Sequence, residues 1–214
     1  KKIRVQPASG DNGTSLGAAL YWYFCVYNRS KTHLNVNPRT SYFGTSFTDQ
    51  ECLKFLKKNK IKYQIPANIF THVSKLLSEK KIIAWFNGKM EFGPRALGNR
   101  SIITAPFPAE MKDILNLRVK KRESFRPFAP VVLEKDQNLY FDSFDSSPNM
   151  LFAWNVKKNK VRQVPAITHV DGTARVQSIS KKDNPELYKL ISCFKNLTGV
   201  PMILNTSFNI RGEP

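Results

Sequence analysis

The residue types best suited to chemistry crowd into residues 88–126. Eleven lysines and arginines lie there or just before it, from Lys80 and Lys81 through Lys89, Arg95 and Arg100 to Arg126. They do not form one run. Two groups are tied to backbone punctuation: Gly93-Pro94-Arg95 with Gly98-Asn99-Arg100-Ser101, and Lys121-Arg122-Glu123 with Arg126-Pro127. Glycine lets backbone N–H groups approach a ligand, and proline stiffens a turn. Arginine presents a planar fork that matches phosphate oxygens. Loops of this composition suit an anionic ligand. The plain alternative is a basic surface with ordinary turns.

Three further stretches carry candidates. His169, Asp171, Thr173 and Arg175 share one parity within VPAITHVDGTARVQSI (164–179). A pleated strand would put them on one face, although a turn at Asp171-Gly172 would break that register. The apolar run VPMILN (200–205) delivers Asn205, Thr206, Ser207 and Asn209, a set of hydroxyl and amide groups. Asp11 sits in ASGDNGTS (8–15), between the end of a strand and the start of a helix. There its carboxylate can meet a cation or simply cap the helix.

The elements that must hold these residues can be read from periodicity. Residues 3–7 read as the end of a strand and 16–27 as a helix, with a polar, turn-rich linker at 28–46. A helix is expected at 48–58, where Thr48 and Glu51 fit a capping box and Cys52, Phe55 and Leu56 form an apolar stripe. Another should start after Pro66 and run to about Lys80, with Ile69, Val73, Leu76 and Leu77 on one face. His72, inside it, reads as an ordinary surface or core histidine. Strands are expected at 81–88, 101–105, 125–134, 150–156 and 200–205, and helices at 109–118, 135–141 and 184–198. Pro185 opens the last helix and Gly199 closes it. Residues 157–163 read as an exposed loop, and Arg118 and Lys120 as solvated charge at a helix end. Helices alternating with short strands make an α/β fold: a twisted mixed sheet with flanking helices and the anion site in its concave surface.

Composition bounds the partners. The 214 residues suffice for one large domain, or one domain plus a piece of another. Net charge is +18, from 34 basic and 16 acidic residues, which favours polyanionic partners. Cys25, Cys52 and Cys193 are sparse and far apart. That argues against a disulfide scaffold or a paired-cysteine zinc site, and for a reducing, cytoplasmic setting. No apolar run reaches 18 residues, and no signal peptide is visible. The start at Lys1 and the end at Gly-Glu-Pro suggest that both ends are cut from something longer.

Five separated blocks then carry a family resemblance. FGPRALGNRSI, VKKRESFRPFAP, PAITHVDGTARVQ and LNTSFNIRGEP follow one another as in the carbamoyltransferases that modify antibiotics and nodulation factors, and QPASGDNGTSLGAAL is similar to the segment closing that family's first domain. Such proteins resemble a fusion of two modules. The first is similar to an actin-like (Kae1-like) tRNA-modification protein that carries iron or another divalent metal. The other is similar to a YrdC-type module that makes carbamoyl- or threonylcarbamoyl-adenylate. The resemblance implies that residues 1–27 are the last strand and helix of the former module, and 47–214 most of the latter. The paired-histidine metal motif of the former has no counterpart here. Asp11 matches its aspartate ligand alone.

The implied chemistry joins carbamoyl phosphate and ATP, with Mg²⁺, into carbamoyl-adenylate, and then passes the carbamoyl group to a hydroxyl of a small acceptor. By that resemblance Arg95, Arg100 and Ser101 would meet carbamoyl phosphate. Lys121, Arg122 and Arg126 would form the Lys-x-Arg signature at the α-phosphate, and Ser207 and Asn209 the Ser-x-Asn motif at phosphate or Mg²⁺. His169 could donate to the carbamoyl oxygen, Asp171 could orient it or hold Mg²⁺, Arg175 is another phosphate candidate, and Thr173 belongs to the same group. Asn205 stays without a role. Two other readings remain open. One is threonylcarbamoyl-adenylate synthesis from bicarbonate and threonine. The other is a nucleic-acid-binding module, permitted by the charge and by Phe92, Phe125 and Phe128 but disfavoured by their irregular spacing. Membrane association is not expected, and neither acceptor nor oligomeric state follows from the sequence.

Overall fold

The computed structural model describes residues 5, 7, 8, 10–28, 40–210, 212 and 213. Its centre is a six-stranded mixed sheet in the order β1-β2-β6-β3-β5-β4. The strands are β1 (Ile83–Phe86), β2 (Arg100–Thr104), β3 (Ala129–Leu133), β4 (Phe152–Asn155), β5 (Thr173–Ile179) and β6 (Met202–Ser207). Only β3 and β5 pair in parallel; β1–β2, β2–β6, β6–β3 and β5–β4 are antiparallel. The expected α/β class is therefore met, with a strand order that no local pattern encodes.

The helices are α1 (Asp11–Tyr21), α2 (Asp49–Lys58), α3 (Ile69–Ser78), α4 (Glu110–Ile114), α5 (Gln137–Tyr140) and α6 (Pro185–Thr198). The α6 helix shows why sequence suffices for some of them. The Asn184 side chain accepts the Leu187 N–H, Pro185 occupies the first turn, and Gly199 ends the helix at φ +74°. Leu187, Leu190, Ile191 and Phe194 are all fully buried. Each contributes about 1.5–3 kcal/mol by leaving water. They meet α3, whose Val73 and Leu77 are buried and whose Ser74 hydroxyl donates to the Leu190 carbonyl. The capping box of α2 forms as expected: the Thr48 N–H donates to the Glu51 carboxylate, and the Glu51 N–H to the Thr48 hydroxyl. Its apolar stripe is different, since Phe55 is exposed and no α2 residue is buried.

Other expectations need correction. Most of the strand expected at 3–7 and most of the 28–46 stretch lie outside the described residues, and residues 5 and 7 are not in a strand. The first helix begins at Asp11 rather than at 16 and continues as a π-helical turn over Trp22–Val26. Gly10, not Asp11, holds its N-cap position. Residues 164–170 are not a strand. Pro165 opens a single 3-10 turn, Pro165–Ile167, because it lacks an N–H and cannot join a ladder. The chain then turns at 170–172 into β5. Residues 41–45 lie alongside 90–92, with N–H···O bonds from Gly44 to Met90, from Met90 to Thr45 and from Phe92 to Ser41.

Among the described residues, no helix is long and apolar enough to cross a membrane.

Candidate active site

Three adjoining hollows open on one side of the sheet. One, of about 140 Å³, is lined by Arg95, Arg122, Arg175, Asn205, Thr206 and Ser207 together with Pro127 and Phe128. It shares Arg122 and Ser207 with a second, of about 290 Å³, which adds Lys120, Arg126, Asn209 and Glu213. It shares Pro127 and Phe128 with a third, of about 120 Å³, which adds Lys112, His169 and Asp171. A larger depression, of about 620 Å³ along Glu134, Lys135 and 179–183, contains none of these residues.

The walls come from elements far apart in the chain. The C-terminal half of β6 supplies Asn205 and Ser207, and the start of β5 supplies Arg175. Between those strands lies the start of β3, with Ala129 opposite Asn205. Arg122 reaches the hollow because the helix α4 continues as a π-helical turn, Leu115–Lys120, and ends with Lys121 at φ 46°. The left-handed residue reverses the chain. Asn116, fully buried in that turn, then braces the loop. Its Oδ1 accepts the Arg122 Nε–H at 2.7 Å, and its Nδ2 donates to the carbonyls of Ser124 and Arg126 at 3.1 and 3.0 Å. Arg122 lies over the Phe128 ring at 4.8 Å, leaving its two terminal nitrogens without a protein partner among the described residues. Burial lowers its pKa, and Arg126 adds to that effect.

Lys120 overturns its reading as a solvated helix end. Only 5% of it is exposed. Its Nζ donates to the Ser207 and Asn209 carbonyls, both at 2.6 Å, and lies 3.0 Å from each of their side-chain oxygens. Burial brings its pKa down to about 8, the like charge of Arg122 adds to the shift, and Glu213 opposes it. Lys120, not the exposed Lys121, thus stands with Arg122 at the Lys-x-Arg spacing. Arg126 is half exposed and pairs with Glu123 at 3.1 Å.

The loop carrying Arg95 is folded around an acid. The Glu91 carboxylate accepts the N–H groups of Leu97, Asn99 and Arg100 at 2.8, 2.8 and 3.1 Å. Gly98, at φ +100°, lies so close to α6 that a Cβ would sit 2.2 Å from a Leu187 methyl. Arg95 projects outward, and Arg175 feels its charge: burial first and Arg95 second lower the Arg175 pKa. Arg100 does not join them. Its guanidinium donates to the carbonyls of Asn87, Asn99 and Thr45 and stacks 3.6 Å above Phe86. Ser101 is fully buried, and its hydroxyl accepts the Gly98 N–H.

His169, Asp171 and Thr173 do gather, but through the turn rather than a pleated face. Asp171 Oδ1 accepts both the backbone N–H and the hydroxyl of Thr173 at 2.9 and 2.8 Å, and that hydroxyl lies 3.2 Å from His169 Nδ1. Thr173 therefore stands between Asp171 and His169. Burial lowers the His169 pKa against an opposing hydrogen bond to the Phe128 main chain. Asp11 lines none of these three hollows and is exposed in the first turn of α1. Among the described residues, no three His, Cys, Asp or Glu side chains group to hold a metal. No described cluster of such side chains therefore supplies a ligand set for a resident metal ion.

A family model described as the carbamoyltransferase C-terminus matches residues 74–214. The chain belongs to the carbamoyltransferase family. Nodulation protein NolO of Bradyrhizobium diazoefficiens is 39% identical over 99% of this chain and 39% of its own length. Nodulation protein NolNO of Sinorhizobium fredii is 40% identical over 99% of this chain and 32% of its own. A 3'-hydroxymethylcephem-O-carbamoyltransferase of Streptomyces clavuligerus is 33% identical over 99% and 38%. The chain thus spans about two fifths or less of the length of each of these relatives.

Site residues that sequence reasoning leaves out are Lys120, Asn116 and Glu91. Lys120 is signalled by its spacing to Arg122. Glu91, an acid ahead of a basic loop, offers a weak signal, and Asn116 none.

Proposed function

We propose that this chain is the adenylating part of an O-carbamoyltransferase. Water takes the phosphoryl group of carbamoyl phosphate, leaving carbamate and inorganic phosphate. A carbamate oxygen then attacks the α-phosphorus of ATP and displaces pyrophosphate. The acceptor's hydroxyl then attacks the carbamoyl carbon, the anhydride bond breaks, and AMP leaves with the small molecule carbamoylated. The observation that carries this reading is the convergence of Lys120, Arg122, Arg95 and Arg175 on joined hollows. Two phosphorylated substrates repel each other, and fixed cations in a partly desolvated site offset that repulsion. Burial disfavours the charged forms of Lys120, Arg122 and Arg175 in the free protein and is the first cause that lowers each pKa. A bound polyanion favours those charged forms. The matching family model and the name of one relative, a 3'-hydroxymethylcephem-O-carbamoyltransferase, support carbamoyl transfer as the outcome.

ATP would enter as its magnesium complex. The oxygens of Ser207 and Asn209 already receive the Lys120 ammonium, so they do not fit a directly held magnesium ion, and none of the steps above runs through one. The relatives' greater length supports a division of labour in which residues 47–214 adenylate and the acceptor is met elsewhere. The test is exchange of labelled pyrophosphate into ATP. Exchange should depend on carbamoyl phosphate, and this chain alone should not carbamoylate an acceptor. Exchange driven by bicarbonate and threonine with carbamoyl phosphate inert would overturn the reading, as would salt-sensitive RNA binding without any nucleotide turnover.

A further inference from the structure

Among the described residues, four buried side-chain atoms lack a hydrogen-bond partner: the indole nitrogens of Trp85 and Trp154, Arg175 Nε and Asn205 Oδ1. The last two line the same 140 Å³ hollow. A buried polar atom without a partner costs about 1–3 kcal/mol, so a pair of them in one hollow marks a place made for a ligand.

Which way the Asn205 amide points follows from its neighbours. Its Nδ2 donates to the Ala96 carbonyl at 2.8 Å, and a carbonyl can only accept. The second contact of Nδ2, at 3.5 Å, is Gln177 Oε1. Gln177 is oriented in turn, since its Nε2 donates to the Leu97 carbonyl at 2.9 Å. Two main-chain carbonyls of the Arg95 loop therefore lock both amides, and Asn205 Oδ1 is left as a bare acceptor. Asn205, 2% exposed, forms part of the floor. Arg175 Nε–H is a bare donor. One donor and one acceptor on residues lining the same hollow match a primary amide, whose oxygen accepts and whose NH₂ donates. A carboxylate, with two acceptors, or an acetyl group, with a methyl, would leave Asn205 Oδ1 unpaired.

We propose that Arg175 Nε and Asn205 Oδ1 are the pair that reads the carbamoyl group, Arg175 donating to its oxygen and Asn205 accepting from its NH₂. This rests on the carbamoyl phosphate reading above and deepens it. Asn205 becomes a specificity-determining residue, and Arg175 turns from a phosphate contact into an acyl contact. Phosphate recognition is left to Arg95, Arg122 and Lys120.

The experiment compares two dianions that differ only in NH₂ against CH₃. Dissociation constants for carbamoyl phosphate and acetyl phosphate are measured on this chain by calorimetry at one ionic strength. Carbamoyl phosphate should bind tighter by about tenfold to a hundredfold, as expected for a site whose buried acceptor goes unmet by the analogue. Asn205→Ala should bring the ratio close to one. Asn205→Ala also loses the bond to the Ala96 carbonyl, so its unfolding midpoint should fall, and retained affinity for inorganic phosphate shows that its anion site is intact. Equal binding of the two acyl phosphates by the unaltered chain overturns the amide-reading pair alone. Binding of neither overturns the carbamoyl phosphate site, and this assignment with it.

Discussion

Two loops of this chain are alike as letters and do opposite things. Residues 91–100 and 116–126 are both basic, and both lie beside a turn residue with positive φ. In the first, Arg100 surrenders its guanidinium to three main-chain carbonyls and the face of Phe86. In the other, Asn116 takes only the Nε–H of Arg122 and leaves the rest of the fork facing a hollow. The difference lies in who satisfies the cation. A guanidinium saturated by carbonyls holds a loop in shape, and one held by a single bond is aimed. Charge density alone does not distinguish these cases.

The comparison breaks most sharply at Arg122. Arg122→Ala should cost about 2–5 kcal/mol of carbamoyl phosphate and ATP binding and nearly abolish pyrophosphate exchange. Folding stability should change far less, because the side chain contributes one neutral-acceptor hydrogen bond and a cation–π contact. Unchanged exchange would remove Arg122 from the site. Next in size is Gly98→Ala. Its φ of +100° is disfavoured for any side chain, and the added Cβ meets Leu187 of α6. The strain and overlap together should cost about 2–4 kcal/mol of stability by denaturant unfolding. A neutral result would mean that the loop can withdraw from α6, and that Arg95 is not rigidly placed.

Much of the fold is legible in the sequence, for local reasons. The α6 helix carries its own cap, its own terminator and a complete apolar face. The capping box of α2 is a four-residue pattern. What is not legible depends on partners distant in sequence. The 164–170 stretch alternates like a strand, yet Pro165 has no N–H to give a neighbour and a 3-10 turn forms instead. Lys120 resembles any basic residue at a helix end until β6, 87 residues away, brings the Ser207 oxygens to it. Arg95 and Arg100 have equal standing as letters. The folded chain shows that Arg100 is already engaged, by the carbonyls of Asn87, Asn99 and the returning Thr45 and by the Phe86 ring. Local propensity therefore locates the loops, and tertiary pairing decides which cations are free.

Lys120 gives a test of smaller size but definite sign. Its folded pKa of about 8 lies below the value of the unfolded chain. Between the two, the unfolded state binds more protons, so stability should rise with pH across that window. Anion affinity should move the other way. Once the ammonium is neutral, a cation is lost from the hollow, and affinity for inorganic phosphate should fall by at most about tenfold per pH unit above 8. Lys120→Met should bind phosphate weakly and without that pH dependence. Stability and affinity rising together with pH would show that Lys120 does not titrate in this range.

Arg100 gives the smallest effect and closes the comparison. If its guanidinium is spent on carbonyls, Arg100→Ala should lower stability by about 1–2 kcal/mol, since the Asn87, Asn99 and Thr45 carbonyls lose a charged donor while water can reach part of the site. Phosphate affinity should hold within about twofold, the size expected when one charge is lost without direct contact. The two arginines would then form a double dissociation: Arg122 moves binding and spares stability, and Arg100 moves stability and spares binding. A large loss of phosphate affinity in Arg100→Ala would mean that its stacking on Phe86 gives way when the anion arrives. The 91–100 loop would then be another gripping loop rather than a brace.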